Sequence, residues 1–368
     1  MKRAVRGAII ERLADFSPGE QMKRALAATN TAVVVGVVIG LVVGVGVITV
    51  TRLDTFGGKG SGLGAGFRYD VGELAKIDPN LILYRESSEP IDTGLSHSRA
   101  LAVDSRGALY VGGDRAVRVF WRDGSLLGEI ATGGEPTALT VAQDGKVYVC
   151  VQDHVEVYDA GGRKLASWES LGGRAVLTSI AVSGDEVFVA DAGDRVVVRY
   201  DSSGRVVGRI GRKDAERNIP GFVVPSPYFD LAVAKDGLLR VANPGRRRIE
   251  AYTKEGDFEF AWGRSSVEID GFCGCCNPVN FAVLPEGGFV TVEKGLVRVK
   301  VYDSQGRFVG VVAGPAQLVE EGSAGVCELP EQCRAGGFDI AVDSEGRVFV
   351  LDTIKNVVRT FSKKEGGK

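Results

Sequence analysis

Six cysteines are the residues of this chain best suited to metal or redox chemistry. Five of them fall in two short segments, Cys273-Gly-Cys275-Cys276 and the segment from Cys327 to Cys333. Their thiolates suit copper(I), zinc or an iron–sulfur cluster. In an oxidising compartment the same residues would instead form disulfides, with Cys327 and Cys333 closing a small loop. A third interpretation leaves them as reduced thiols, and the sequence leaves these alternatives open.

Polar residues at a few other positions are candidates for ligand binding. Asp230 and Asn280 each stand directly before an apolar segment, the pair Glu293-Lys294 interrupts another one, and Arg246 opens a run of three arginines. Such an arginine run can recognise phosphate or carboxylate. A calcium site would use a different set of oxygen ligands, namely Asp230, Asn280, Glu293 and Asp339.

Histidine chemistry is nearly excluded by composition. The chain has two histidines, His97 and His154, so zinc sites built from several imidazoles do not fit. The 45 basic and 47 acidic residues leave a net charge of −2. No basic stripe with interleaved aromatic residues occurs, and we therefore expect no nucleic-acid partner.

An internal repeat predicts the elements that position these residues. A phrase of an apolar residue, a small residue and valine recurs six times, beginning at Leu101, Leu139, Ile180, Leu231, Phe281 and Ile340. Further segments with period-two alternation follow each phrase, separated by turns rich in glycine and aspartate, and glycine reaches 51 of 368 residues. Four antiparallel strands per repeat, arranged radially, form a β-propeller.

The count of repeats predicts six blades, with seven as the alternative. The sixth repeat ends near Phe361 without room for a fourth strand, whereas a strand-like run, residues 81–85, precedes the first repeat. We expect that run to complete the last blade. The two cysteine segments then lie in consecutive connections between blades, and Cys150 occupies a small packing position of a second strand, as a buried free thiol.

The repeats resemble the NHL family of propellers. Asp191-Ala-Gly-Asp194-Arg195-Val196 matches its signature best, and the resemblance covers residues 98–361. The chain is also similar to uncharacterised bacterial proteins that carry segments like Phe272-Cys-Gly-Cys-Cys-Asn-Pro278. The resemblance implies an all-β, six-bladed, NHL-like propeller, a fold that serves as an enzyme or as a binding platform. Similar enzymes, such as lactonases, hold calcium or zinc, and an enzyme is the less favoured interpretation here.

A membrane anchor is predicted before the propeller. Residues 31–50 hold twenty residues without a charge, the length of one transmembrane helix. This predicts a cytoplasmic lead (1–30), the helix (31–50), a glycine-rich linker (51–66) and the propeller (67–368), displayed outside the cytoplasmic membrane. Gly36, Gly40 and Gly44 form a small-residue stripe that would pair two helices in a homo-oligomer.

The function predicted from the sequence is a membrane-anchored binding or scaffold module with a protein partner. Its working surface would be the cysteine-bearing loops and the adjacent mouth of the central channel. The first alternative is a redox or metal-handling protein that uses the loop cysteines. The second is a calcium-dependent hydrolase or lyase.

Overall fold

The computed structural model of this chain describes residues 71–274, 276–319 and 337–365, and isolated helical positions between residues 19 and 42. The chain divides into two compact units, Met1–Tyr69 and Asp70–Lys368. Within the described part of the second unit, five sheets have four strands and one has five. All strands pair with antiparallel neighbours, so the predicted all-β, six-bladed propeller is confirmed.

Short elements precede the first blade. They are helix α1 (Val71–Ala75), a 3₁₀ turn (Pro79–Leu81), and strands β1 (Tyr84–Glu86) and β2 (Ile91–Asp92). Blade one consists of β3 (Ser98–Val103), β4 (Leu109–Gly113), β5 (Ala116–Phe120) and β6 (Leu126–Ala131). Blade two consists of β7 (Pro136–Val141), β8 (Val147–Val151), β9 (His154–Tyr158) and β10 (Lys164–Ser167).

The next three blades repeat the four-strand meander. Blade three is β11 (Leu177–Ser183), β12 (Glu186–Asp191), β13 (Val196–Asp201) and β14 (Val206–Ile210). Blade four is β15 (Leu231–Val233), β16 (Leu239–Asn243), β17 (Arg248–Tyr252) and β18 (Phe258–Trp262), with a 3₁₀ turn (Pro244–Arg246) in its second hairpin. Blade five is β19 (Asn280–Val283), β20 (Phe289–Glu293), β21 (Arg298–Tyr302) and β22 (Phe308–Ala313), followed by helix α2 (Pro315–Leu318).

Blade six is completed from the beginning of the propeller. Its own strands are β23 (Asp339–Val342), β24 (Val348–Asp352) and β25 (Val357–Lys363), and β1 pairs with β25 as the fourth strand. The sequence predicted this closure at residues 81–85, and the strand forms slightly later, at Tyr84–Glu86. Arg359 reinforces it, since its Nε lies 2.7 Å from Oε1 of Glu86. β1 therefore covers the edge of β25 that would otherwise be exposed.

The repeated phrases are the inner strands, as predicted. β3, β7, β11, β15, β19 and β23 contact one another around the ring and together line a central channel of about 290 Å³. The second strands are fully buried between neighbouring blades; β8 and β20 are examples. The hydrophobic core therefore consists of clusters between adjacent sheets, such as the cluster of Phe188 and Phe229 between blades three and four.

Two blade contacts depend on a glycine in the hairpin between third and fourth strands. Gly204 and Gly306 have φ of +87° and +76°, a region that side chains other than glycine rarely adopt. Their Cα atoms lie against the rings of Trp168 and Trp262 from the preceding blade, where an added Cβ would come within 2.3 Å of the indole. These positions therefore require glycine for its backbone freedom and for its lack of a side chain.

The predicted membrane helix falls mostly outside the described residues. Positions that are described within residues 31–50, such as Val37 and Leu41, are helical. Among the residues that the structure describes, no helix is long and apolar enough to span a bilayer. Gly44 of the predicted glycine stripe is not among them.

Candidate functional site: the mouth of the central channel

The residues that stand immediately before the six repeated phrases form a ring around the axis. They are Ala100, Ala138, Ser179, Asp230, Asn280 and Asp339. The ring is polar on blades three to six and apolar on blades one and two. Of the two predicted to bind a ligand, Asp230 lines the channel and Asn280 lines the wider cavity that adjoins it.

The polar side chains of this ring connect each blade to the next. Three hydrogen bonds do so: Asp230 accepts from the Phe281 N–H at 2.7 Å, Asn280 donates to the Phe338 carbonyl at 2.6 Å, and Asp339 accepts from the Leu101 N–H at 2.7 Å. Ser179 contributes similarly, because its Oγ accepts from the Leu231 N–H at 3.2 Å. Each of these side chains thus already has a structural hydrogen-bond partner. A ligand can donate hydrogen bonds only to the remaining lone pairs of the two carboxyl groups.

The two carboxyls of the ring titrate near neutral pH. Burial raises the pKa of Asp230 to about 6. Burial, together with repulsion from Asp230, raises the pKa of Asp339 to about 7. A cationic ligand group in the channel would lower both pKa values and favour the ionised carboxylates.

A wider cavity of about 460 Å³ opens above the ring, and every blade contributes to its wall. One lining residue from each blade in order is Arg99, Thr137, Thr178, Tyr228, Asn280 and Asp339. Thr178 and Asp339 also line the channel, so the cavity and the channel adjoin. Charges of both signs stand on its wall, since Arg99 of blade one and Asp339 of the neighbouring blade six both line it.

Lys294 connects this mouth to the cysteine loop. Its ammonium group lies 4.4 Å from the centroid of the Tyr228 ring, a cation–π contact. Its backbone is held by the Asn277 side chain, which accepts from the Lys294 N–H and donates to the Lys294 carbonyl, both at 2.9 Å. Asn277 also donates to the Cys273 carbonyl at 2.6 Å. The predicted adjacency of cysteine loop and mouth therefore holds for the Cys273 segment.

Two cysteines of the described part of the chain, Cys150 and Cys273, are free thiols. Cys150 is fully buried, as predicted. The predicted disulfide through this loop is therefore not supported. Burial raises the pKa of Cys273, and the neighbouring Glu293 carboxylate raises it further; both effects disfavour a thiolate. Cys275, Cys327 and Cys333 lie outside the described residues.

Glu293 does not face the channel and is not in a solvated hairpin. It is fully buried, and its carboxylate accepts hydrogen bonds from the Cys273 N–H and from Arg298 Nε, the latter at 2.8 Å. Lys300 Nζ lies 3.1 Å from the same carboxylate. Both cations come from β21, where alternate residues share one face of the strand. This cluster supports the cysteine loop from below rather than binding a ligand.

The predicted calcium set is therefore not brought together. Asp230 and Asp339 line the channel and Asn280 lines the adjoining cavity, whereas Glu293 belongs to the buried cluster with Arg298 and Lys300. In the described ranges, no three or more histidine, cysteine, aspartate or glutamate residues are grouped to hold a metal ion.

Arg246 also lies away from the mouth. It is on the outer surface, where its guanidinium donates to the Pro220 carbonyl at 2.9 Å. Conversely, sequence reasoning missed Arg99, Thr137 and Thr178 as lining residues. Each stands two positions before a repeated phrase, so an alignment of the six phrases extended by two residues would have found them.

Comparisons with known proteins show the fold alone. No family model matches the chain, and no curated protein sequence matches it. Among solved structures, a streptogramin B lyase is similar, with a TM-score of 0.51 and 9% identity over 76% of this chain and 98% of that one. A Bacteroides thetaiotaomicron protein of unknown function matches with a TM-score of 0.52 and 15% identity, over 76% of this chain and 73% of that one.

A third similar structure is a chain of the mitotic checkpoint complex, with a TM-score of 0.52 and 11% identity over 79% of this chain and 95% of that one. At such identities a shared fold does not carry a shared activity. The propeller is thus confirmed as an architecture, and membership of the NHL family stays a prediction.

Proposed function

We propose that this propeller is a binding module that receives a segment of a protein partner at the mouth of its central channel. The observation that carries the proposal is the cavity at the mouth, to which all six blades contribute. Such a cavity is held by the whole ring and is therefore preorganised, which lowers the entropic cost of binding. Propellers are common scaffolds for binding, and likeness to a lyase structure at 9% identity does not favour catalysis here.

The chemistry of the mouth fits a peptide segment. Arg99 supplies a cationic group, Asp339 a carboxyl, and Thr137 and Thr178 hydroxyls, beside the aromatic ring of Tyr228. Donors, acceptors and an aromatic surface in one concave site match the mixed polar and apolar surface of a polypeptide. The adjoining channel can take one longer side chain, and a lysine or arginine there would meet Asp339 and Asp230.

Photo-cross-linking in the cells that make this protein tests the proposal. In the full chain, benzoylphenylalanine replaces His97. The His97 side chain lies at the mouth and is 74% exposed. We expect illumination to yield one discrete adduct, and the additional change Arg99→Glu to reduce its yield at least fivefold, because the cationic wall of the mouth is reversed.

Leu126 is the matched control position. It is on the outermost strand of the same blade and 57% exposed, so the photo-reactive group is equally accessible there but far from the channel. No adduct of the same mass is expected from this position. Equal adducts from both positions, or none from His97, would overturn the proposal.

We further propose that residues 31–50 anchor the chain in the cytoplasmic membrane and that the propeller is displayed on its extracytoplasmic side. The uncharged run of twenty residues supports the anchor. The glycine stripe at Gly36, Gly40 and Gly44 supports association of two anchors.

Fractionation and thiol labelling test the anchor and its orientation. We expect the full chain to remain in carbonate-washed membranes, and a variant in which a Gly/Ser segment of equal length replaces residues 31–50 to become soluble. In intact spheroplasts, a membrane-impermeant maleimide should label a Ser202→Cys variant above the wild-type level, because Ser202 is exposed in a hairpin of blade three. Labelling only after lysis would reverse the orientation, and a soluble full chain would contradict the anchor.

A further inference from the structure

A second concave surface lies where the second hairpin of blade three meets the connection into blade four. We call it the basic groove. Its volume is about 400 Å³, and its basic lining residues are Arg195, Arg212, Lys213 and Arg246. Phe222 and Val223 form an apolar floor. The groove shares no lining residue with the channel mouth, so it is a separate surface.

The positive charge of this groove is not neutralised by the protein. Its one lining carboxylate within the described ranges is Asp194, which forms an ion pair with Arg174 at 2.8 Å. In the part of the chain that the structure describes, no carboxylate lies within ion-pair distance of Arg195, Arg212 or Lys213. Four cations around one cavity repel each other, and an anion in the groove relieves that repulsion.

The backbone positions two of the cations. Gly211 has φ of +88°, and an added Cβ would come within 1.8 Å of the Phe222 ring. Because the chain turns tightly over that buried ring, Arg212 and Lys213 leave the turn at the rim of the groove. On the opposite side, the hydrogen bond from Arg246 to the Pro220 carbonyl, at 2.9 Å, holds this guanidinium beside the same connection.

Repeat symmetry explains why the charge is in excess here. The hairpin of blade three carries Asp194 at the position where the corresponding hairpin of blade four carries Arg246. Blade three therefore has a neutral pair, Asp194 with Arg174, whereas blade four presents a positive charge at the same place. The substitution of a carboxylate by a guanidinium in one repeat makes the groove basic.

We propose that the basic groove binds a phosphate-bearing ligand. Guanidinium groups donate paired hydrogen bonds that match phosphate oxygens, and three of the four cations are arginines. The apolar floor accommodates a carbon-bearing part of the ligand next to the phosphate. Both a soluble diphosphate and an anionic phospholipid headgroup supply this chemistry. The proposal is independent of the function of the channel mouth.

Calorimetric titration of the full chain, in a neutral maltoside detergent at low salt, tests the site with inorganic pyrophosphate as the probe. The variant Arg212→Gln/Lys213→Gln removes two of the exposed cations. The control Arg163→Gln/Arg205→Gln removes two arginines that are paired with Asp159 and Asp201 in other hairpins. We expect the Kd for pyrophosphate to rise at least tenfold in the first variant and less than twofold in the control.

The source of the phosphate is distinguished in a second arm, in which phosphatidylglycerol is added to the micelles. Binding of pyrophosphate that phosphatidylglycerol does not displace supports a soluble ligand. Displacement by phosphatidylglycerol, lost in the groove variant and kept in the control, supports a lipid headgroup. Binding of neither probe, or equal weakening in both double variants with unchanged melting temperatures, would overturn the proposal.

Discussion

Replacing Glu293 with glutamine is expected to lower the free energy of unfolding of the propeller by about 3–5 kcal/mol, the range for breaking a buried ion pair. Glu293, Arg298 and Lys300 are each at most 1% exposed, and this carboxylate is the counterion of both cations. Burial lowers the pKa of Lys300 to about 8, against the opposing effect of Glu293. Without the carboxylate, Arg298 would keep a buried charge with a carbonyl as its partner. The pKa of Lys300 would fall further, so Lys300 would give up its proton.

Chemical denaturation of the full chain in detergent, followed by tryptophan fluorescence, measures this loss, since Trp262 lies in the core between blades four and five. Glu129→Gln is the matched control. Glu129 is also paired with an arginine, Arg118, but is 48% exposed, and we expect its removal to cost less than about 1 kcal/mol. A loss for Glu293→Gln no larger than that of the control would show that the buried cluster does not stabilise the blade.

The second large effect is a dependence of stability on pH that originates at the channel. Asp339 and Asp230 have native pKa values of about 7 and about 6, above the unfolded value of about 4. Between these limits the native state holds protons that the unfolded state has lost. Raising the pH through this window therefore favours unfolding, by on the order of 7 kcal/mol for the pair if both carboxyls titrate fully.

The variant Asp339→Asn isolates this contribution, because asparagine cannot ionise. Its stability relative to the wild type is expected to increase as the pH rises from 5 to 8, measured as the difference between two denaturation curves at each pH. Asp201→Asn is the control. Hydrogen bonds from Ser203 and Arg205 lower the pKa of Asp201 to about 2, so its effect should not change across this range. A flat difference for Asp339→Asn would show that this carboxyl is not protonated in the folded ring.

The channel could be predicted from the sequence because the repeat encodes it directly. The six apolar phrases are the inner strands, and the polar residues before them, such as Asp230 and Asn280, necessarily surround the axis. By contrast, Glu293 next to Lys294 resembles a solvated hairpin pair when read alone. Its partners Arg298 and Lys300 lie at alternate positions of the following strand and therefore share one face of it. That spacing of two cations was the sequence signal that Glu293 could be paired with them.

The basic groove could not be predicted in the same way. Arg246 stood out as part of an arginine run, but Arg212 and Lys213 belong to an irregular connection whose course depends on the contact between Gly211 and Phe222. Such a connection has no periodicity from which its path could be read. The identity of a ligand is likewise not encoded in the repeats, because the fold constrains the inner strands and leaves the lining side chains free to vary.

Closure of the ring has a consequence for the synthesis of the protein. Glu86 of β1 and Arg359 of β25, which pair across the last blade, are 273 residues apart in the chain. At ~5–20 residues per second, the ribosome needs about 15–55 s to produce the partner of the first strand after that strand has emerged. During this time five blades can form, while β1 stays unpaired because β25 has not yet been synthesised. The nascent chain therefore carries β1 unpaired until β25 has been synthesised, which is the interval in which a chaperone would be of most use.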